Sequence, residues 1–187
     1  MDRVSAVEEL KKSFAIMADD VELVRDMGKS ANTPFAQRTL LRTHFAFIEG
    51  MSFLLRQVAL ANSEIFTAPE LATLREESYA LNKKGDIEAK PNFQKPLPLI
   101  LFTFRSYARI HGAKFNPDTS VHGWECMAKY KAVRDRLTHP KSSDDLSLSD
   151  EELRYCMNAA EWFKKTMLDL FACCEEADDY YRKQAAT

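Results

Sequence analysis

Lys129-Tyr-Lys-Ala-Val-Arg-Asp-Arg-Leu-Thr-His-Pro-Lys141 is a helical run that carries an arginine at position 134, meets a proline at 140 and leaves a histidine at the stop. Pro140 has no N–H, and its ring disfavours the α conformation in the residue before it, so a helix is expected to end near Thr138 or His139. An imidazole there sits at the negative end of the helix dipole with Arg134 about one turn back, close enough to share a small anionic ligand. The same geometry suits a well-capped helix end. The stretch is also locally basic: Lys129, Lys131, Arg134, Arg136 and Lys141 stand against Asp135 alone.

Outward from this stretch the chain reads as helices. Upstream, the turn-rich Asn116-Pro-Asp-Thr-Ser120 gives way to a helix from about Gly123 or Trp124 to Thr138. Downstream, Ser149-Asp-Glu-Glu152 fits a capping box and opens a long helix whose Leu153, Cys156, Ala160, Phe163, Met167, Leu170 and Cys174 recur at 3.6-type spacing to about Tyr181, with Lys183 to Thr187 frayed. Near the N-terminus, Ser5-Ala-Val-Glu8 fits another capping box, and Val7, Leu10, Phe14, Met17, Val21 and Val24 form a seam ending near Gly28. Thr33-Pro34 is an N-cap followed by proline at the first helical position, starting a helix towards Asn62 that is apolar on most faces and should be central. Glu49 interrupts that apolar run, and the simplest reading pairs it at the edge of the helix. Thr67-Ala-Pro-Glu70 caps a shorter helix through Leu71, Leu74 and Leu81, ended by Asn82-Lys-Lys-Gly-Asp86. Lys83 to Pro98, with Gly85, Pro91, Pro96 and Pro98, reads as the longest loop, and Leu97 to Gly112 as a helix with a glycine stop. The expected fold is all-α: one domain over 1–187, its core at about 4–181, a bundle of about five to six helices without internal repeats.

Composition narrows the classes. The chain has 187 residues, enough for one core, and its 45% hydrophobic and 29% charged content is that of an ordinary globular protein. A net charge of −2 argues against indiscriminate binding to nucleic acid but leaves room for the local basic patch. No run reaches the roughly 18 apolar residues of a membrane span, and the N-terminus lacks the apolar h-region of a secretory signal, so the expectation is a cytoplasmic protein without a membrane partner. Cys126, Cys156, Cys173 and Cys174 have no Cys-x-x-Cys spacing; they read as reduced core filling, with no metal and no cofactor implied. None of the five glycines falls in a nucleotide-binding pattern.

The spacing Arg-x4-His, a polar residue directly after the arginine, a helix-ending proline and a loop into a capped helix resemble the signature of the HEPN superfamily. The residues that carry it are Arg134, Asp135 and His139, over roughly Trp124 to Trp162, and Asp135 stands where asparagine is the more familiar choice. Arg38…His44 and Arg105…His111 also satisfy the spacing alone. The first pair lies six apart within one helix and so points about 120° apart, and the second lacks Asn, Asp or His after its arginine. Only the third combines all four features.

The resemblance implies an all-α bundle and a metal-independent endoribonuclease of toxin or defence type, working as a homodimer with two motif copies facing one cleft. It implies RNA as partner, and for a toxin an antitoxin protein. The chemistry suits the residues: RNA supplies its own 2′-hydroxyl nucleophile, His139 is a proton shuttle near neutral pH, and Arg134 can hold a phosphate bidentately. Asp135 would orient one of them, while Lys131, Arg136 and Lys141 would attract the RNA backbone. The alternative is a non-catalytic HEPN-like helical module for binding or dimerisation, in which His139 caps the helix and the arginines pair with acids such as Asp144 or Asp145.

Overall fold

The computed structural model describes residues 2–185. It contains α1 (Arg3–Ser30), α2 (Pro34–Leu60), α3 (Ala68–Arg75), the strands β1 (Glu77–Leu81) and β2 (Ile87–Pro91), α4 (Pro96–Ile110), α5 (His122–Thr138) and α6 (Asp150–Ala185), with single 3-10 turns at Ser63–Ile65 and Asp144–Leu146. The fold is all-α apart from the one hairpin.

Helix α2 is central, as its composition implies: it packs against α1, α3, α4, α5 and α6. Leu41, Phe45, Ile48, Met51, Leu55 and Val58 from this helix are buried and meet Phe104 of α4, Tyr130 and Leu137 of α5, and Phe163, Met167 and Leu170 of α6. The α1 seam turns inward onto this layer, with Leu10 and Val21 buried and Phe14 6.2 Å from Phe47, ring centre to ring centre. Helices α5 and α6 run side by side, Trp124 resting 4.9 Å from Trp162. Gly123 permits that approach, because a Cβ there would lie 2.6 Å from the Trp162 Cβ.

Three expected boundaries are corrected. Asp2, and not Ser5, caps α1: its carboxylate accepts from the Ser5 backbone N–H at 3.0 Å and from the Ser5 hydroxyl at 2.8 Å, so the helix begins one turn earlier. Helix α6 continues to Ala185, so Lys183 to Ala185 are helical, while the expectation for Ala186 and Thr187 falls outside the described residues.

The third correction is larger. The short helix stops at Arg75, Leu81 is strand, and the supposed loop contains the second strand, with Tyr79 opposite Ala89 and Leu81 opposite Ile87. Glu76 takes a left-handed conformation at φ 54° and ends α3. Its carboxylate accepts from Arg56 at 2.7 Å and from the Gln94 N–H, and its carbonyl accepts from the Asn92 N–H, so one residue joins both feet of the hairpin to α2. Asn82 organises the turn by accepting from the N–H groups of Lys84 and Asp86, and Gly85 supplies the positive φ of 85°.

Candidate functional site

Helix α5 ends where Pro140 requires. His139 is the C-cap at φ −127° and ψ 59°, and its N–H makes the last helical bond, to Asp135 O at 3.0 Å. Val133 and Leu137 are buried and fix the rotation of the helix. That rotation sends Arg134 towards α2 and Arg136 towards the loop after α5, because two residues turn a helix by about 200°.

Arg134 donates through Nη2 to Glu49 of α2 at 2.5 Å and through Nη1 to Asp135 at 2.9 Å. Asp135 in turn accepts from Lys131 at 2.5 Å. The result is a chain of alternating charge, Glu49, Arg134, Asp135, Lys131, which sums to zero. All four members reach solvent: their side chains are 30% to 54% exposed, with Glu49 the most open. Lys131 first, and Arg134 after it, hold the Asp135 carboxyl below the usual carboxylate range. Beneath the chain lies a cavity of about 90 Å³ walled by Ile48, Pro96, Leu97, Ile100 and Met127. Tyr130 lines it too, buried, with a hydroxyl that has no hydrogen-bond partner among the described residues.

Arg136 is engaged differently. Its guanidinium donates to the carbonyls of Asp144, Asp145 and Ser147 at 3.3, 3.1 and 2.6 Å, and to Glu152 at 2.7 Å. Glu152 is also half of the expected capping box, accepting from the Ser149 N–H while its own N–H donates to the Ser149 hydroxyl. Asp145 accepts from the N–H groups of Lys141 and Ser142 at 2.7 and 3.0 Å, and these bonds, the Lys141 one first, lower its carboxyl. The loop between α5 and α6 is therefore braced from within. From outside, Arg42 of α2 donates to Leu137 O at 2.9 Å and Arg38 to Leu146 O at 3.3 Å.

The sequence-derived residues thus divide. Lys131, Arg134 and Asp135 form one cluster, Arg136 belongs to the loop clamp, and Lys141 takes part through its backbone while its side chain is exposed. His139 is exposed at the helix end, and its imidazole makes no hydrogen bond or ion pair among the described residues. A carbonyl at that end is capped by Arg42 and not by the histidine. Arg42, Glu49 and Tyr130 are participants that motif spacing does not reveal; the only sequence signal for Glu49 was its isolation in an apolar run.

The other two spacing matches serve the scaffold. Arg105 donates to Asn116 at 3.2 Å, and His111 meets Asp178 at 2.8 Å, tying α4 to α6. Arg38 reaches the loop, whereas His44 is 6% exposed on a separate cavity of about 60 Å³ among α1, α2 and α6. Burial, with Arg25 and Lys164 adding to it, pulls the His44 imidazole down to about 4, and its Nε2 has no protein partner.

A wider cleft of about 510 Å³ is lined by Phe115, His122, Trp162 and Lys165 among others, and shares no residue with the Arg134 cluster. Cys126, Cys156 and Cys174 are buried free thiols, the last two pushed up to about 12 by burial. Among the described residues no group of three or more His, Cys, Asp or Glu side chains is placed to hold a metal, and no helix is long and apolar enough to cross a membrane. Comparison of the chain with protein-family models, with curated protein sequences and with solved structures finds no match in any of the three.

Proposed function

We propose that this protein is a HEPN-like helical protein whose α5 terminus contacts RNA phosphate and cleaves it without a metal ion, two copies acting across a homodimer cleft. The observation that carries this reading is the state of His139: an exposed imidazole without a protein partner, on a helix end that the Arg136 clamp and Arg42 brace independently of it. A histidine needed only as a cap would be bonded. A proton shuttle instead needs a free ring nitrogen on a fixed backbone.

In such a reaction the 2′-oxygen forms a bond to phosphorus as the bond from phosphorus to the 5′-oxygen breaks. The His139 imidazole of one copy takes the 2′ proton, and the protonated His139 imidazole of the second copy gives one to the departing 5′-oxygen. Arg134 supplies charge to the phosphoryl oxygens, provided the phosphate displaces Glu49, its most exposed partner. Asp135 retains the guanidinium during that exchange. Lys141, exposed and on the same loop, adds backbone attraction; Arg136 adds less, because its Nη1 and Nη2 groups already hold the loop carbonyls and its charge is paired with Glu152.

One observation favours the second reading, a non-catalytic module for binding or dimerisation. The hairpin exposes Tyr79, Leu81 and Ile87, which share one face with Ala89, and Phe93 follows at 82% exposure. That is an apolar surface suited to association. The two readings separate in one experiment: RNA cleavage in excess EDTA by the native protein, Arg134→Ala and His139→Ala, prepared identically. The enzyme reading expects cleavage by the native protein and a loss of at least about a hundredfold in each folded variant. Equal cleavage by all three, or none on a broad RNA panel, leaves the module.

A further inference from the structure

Strand β2 leaves one edge of its main chain unpaired. All five of its residues are exposed, whereas β1 is half-buried at Glu77 and Ser78 and contacts α3. The Asn82 N–H donates to Asp86 O at one end of the ladder and the Asn92 N–H to Glu76 O at the other, so the even-numbered residues form its hydrogen-bonded pairs. Ile87, Ala89 and Pro91 therefore turn their backbone groups outward, and of these only Pro91 has no N–H to give. The register runs unbroken from Glu77 to Leu81, so no bulge blunts the edge, and Tyr79, Leu81, Ile87 and Ala89 share a face without a charge. On the other face Glu88 and Lys90 stand opposite Ala80 and Ser78. Neither makes an ion pair among the described residues, Glu88 accepting only from the Asn82 amide at 3.1 Å.

We propose that this edge joins a second copy of the chain, β2 pairing antiparallel with β2 about a twofold axis at Ala89 to make one four-stranded sheet. Self-complementarity selects both the partner and the register. With Ala89 opposite the second copy's Ala89, the two exchange N–H···O bonds, and each Ile87 N–H donates to the other copy's Pro91 carbonyl. Every outward N–H of the strand is then used. In the same register each Glu88 faces the other copy's Lys90 in a non-hydrogen-bonded pair, where side chains approach most closely, so both unpaired charges are matched. Moving the axis to residue 88 sets Glu88 against Glu88, and moving it to residue 90 sets Lys90 against Lys90, like charges directly opposite. Any other strand would have to carry this alternation of charge in reverse; β2 supplies it to itself. The inference gives a surface to the homodimer of the proposed function and takes nothing else from that reading.

The test is the oligomeric state of the full chain by sedimentation velocity, with amide hydrogen exchange followed at Ile87 and Ala89. A short edge makes a small interface and a weak dimer, so the series runs up to about 1 mM protein. Dimer should accumulate with concentration, and exchange at Ile87 and Ala89 should slow with it by about tenfold at the top of the series. Lys90→Glu and Glu88→Lys should each weaken association at least about tenfold, because each sets like charges face to face. The two substitutions together restore opposite charges and should bring the dissociation constant back to within about threefold of native, which a variant that merely misfolds does not do. Ala89→Pro removes the central donors, which the hairpin itself does not use, and should abolish the dimer. A chain that stays monomeric throughout, a dimer without protection at Ile87 and Ala89, or a double variant no better than the single ones overturns the surface. The two proposals fail separately. A dimer of this kind without RNA cleavage keeps the sheet and removes the nuclease; cleavage by a dimer that Lys90→Glu and Ala89→Pro leave intact keeps the nuclease and removes the sheet.

Discussion

Arg134 and Arg136 are two residues apart on one helix and do opposite things. Arg136 spends its donors on three backbone carbonyls and the half-buried Glu152, all within sixteen residues of it in sequence. Arg134 is held by one exposed carboxylate from a distant helix and one partly exposed carboxylate from its neighbour. Backbone carbonyls cannot leave without unfolding the loop, whereas an exposed carboxylate exchanges with solvent or a ligand. The difference shows that an arginine's availability depends on what fills its fork, and that a basic stretch in sequence overstates the charge available for a ligand.

The largest expected effect tests the clamp. Arg136→Ala strands three carbonyls and a carboxylate at the junction of α5 and α6, and should cost about 3 kcal/mol, measured by urea unfolding. A loss under about 1 kcal/mol would mean that the loop holds itself and that the contrast between the arginines is false. Arg136→Lys should recover only part of the loss, since an ammonium cannot replace the planar fork.

Acid sharpens the comparison because it reaches a different group first. His44 is buried and neutral, with its folded value near 4 against an ordinary 6.5. Between those values the unfolded chain binds the extra proton, so stability is fully present above about pH 6.5 and is lost as pH falls towards 4. The loss should reach about 2 kcal/mol near pH 4.5. Asp135 and Asp145 are held below the usual carboxylate range, and Glu70, pulled down to about 2 chiefly by Arg109, begins to lose its contribution only near pH 4.5, so most of the decline should disappear in His44→Phe and persist in Arg134→Ala.

These residues also mark how far sequence carries. The six helices, the stop at Pro140 and the capping boxes at Thr67 and Ser149 were legible because each depends on residues within one turn of each other. The hairpin was not, although Asn82-x-x-Gly85 sits between alternating apolar residues: the Leu71, Leu74 and Leu81 spacing suggested helix, and the contact of Glu76 with Arg56, which ties the foot of the hairpin to α2, is not visible in local spacing. At the site, the motif named Arg134, Asp135 and His139 but could not reveal Glu49, Arg42 or the Tyr130 hydroxyl. Those depend on α2 lying against α5 some 85 to 95 residues away, and spacing within one helix carries no information about that.

The smaller effects belong to Arg134. Its replacement by alanine should cost about 1 kcal/mol or less in stability, since the pair it breaks is open to water, even where any RNA activity is lost entirely. Large destabilisation in this variant would place Arg134 beside Arg136 as a structural clamp.

The finest test is a double-mutant cycle on Arg134 and Glu49, using Arg134→Ala, Glu49→Gln and the pair. The coupling should be about 0.5 kcal/mol at low salt and should fade by 0.5 M, because partly exposed charges are screened over a Debye length of less than about 10 Å. Glu49→Gln carries the more telling consequence. If Glu49 is only a displaceable partner of Arg134, removing its charge frees the guanidinium and should strengthen RNA binding about twofold to fivefold, with the gain lost in high salt. Weaker RNA binding in Glu49→Gln would mean that the carboxylate orients the arginine for its ligand, and availability would then come from positioning and not from an exchangeable partner.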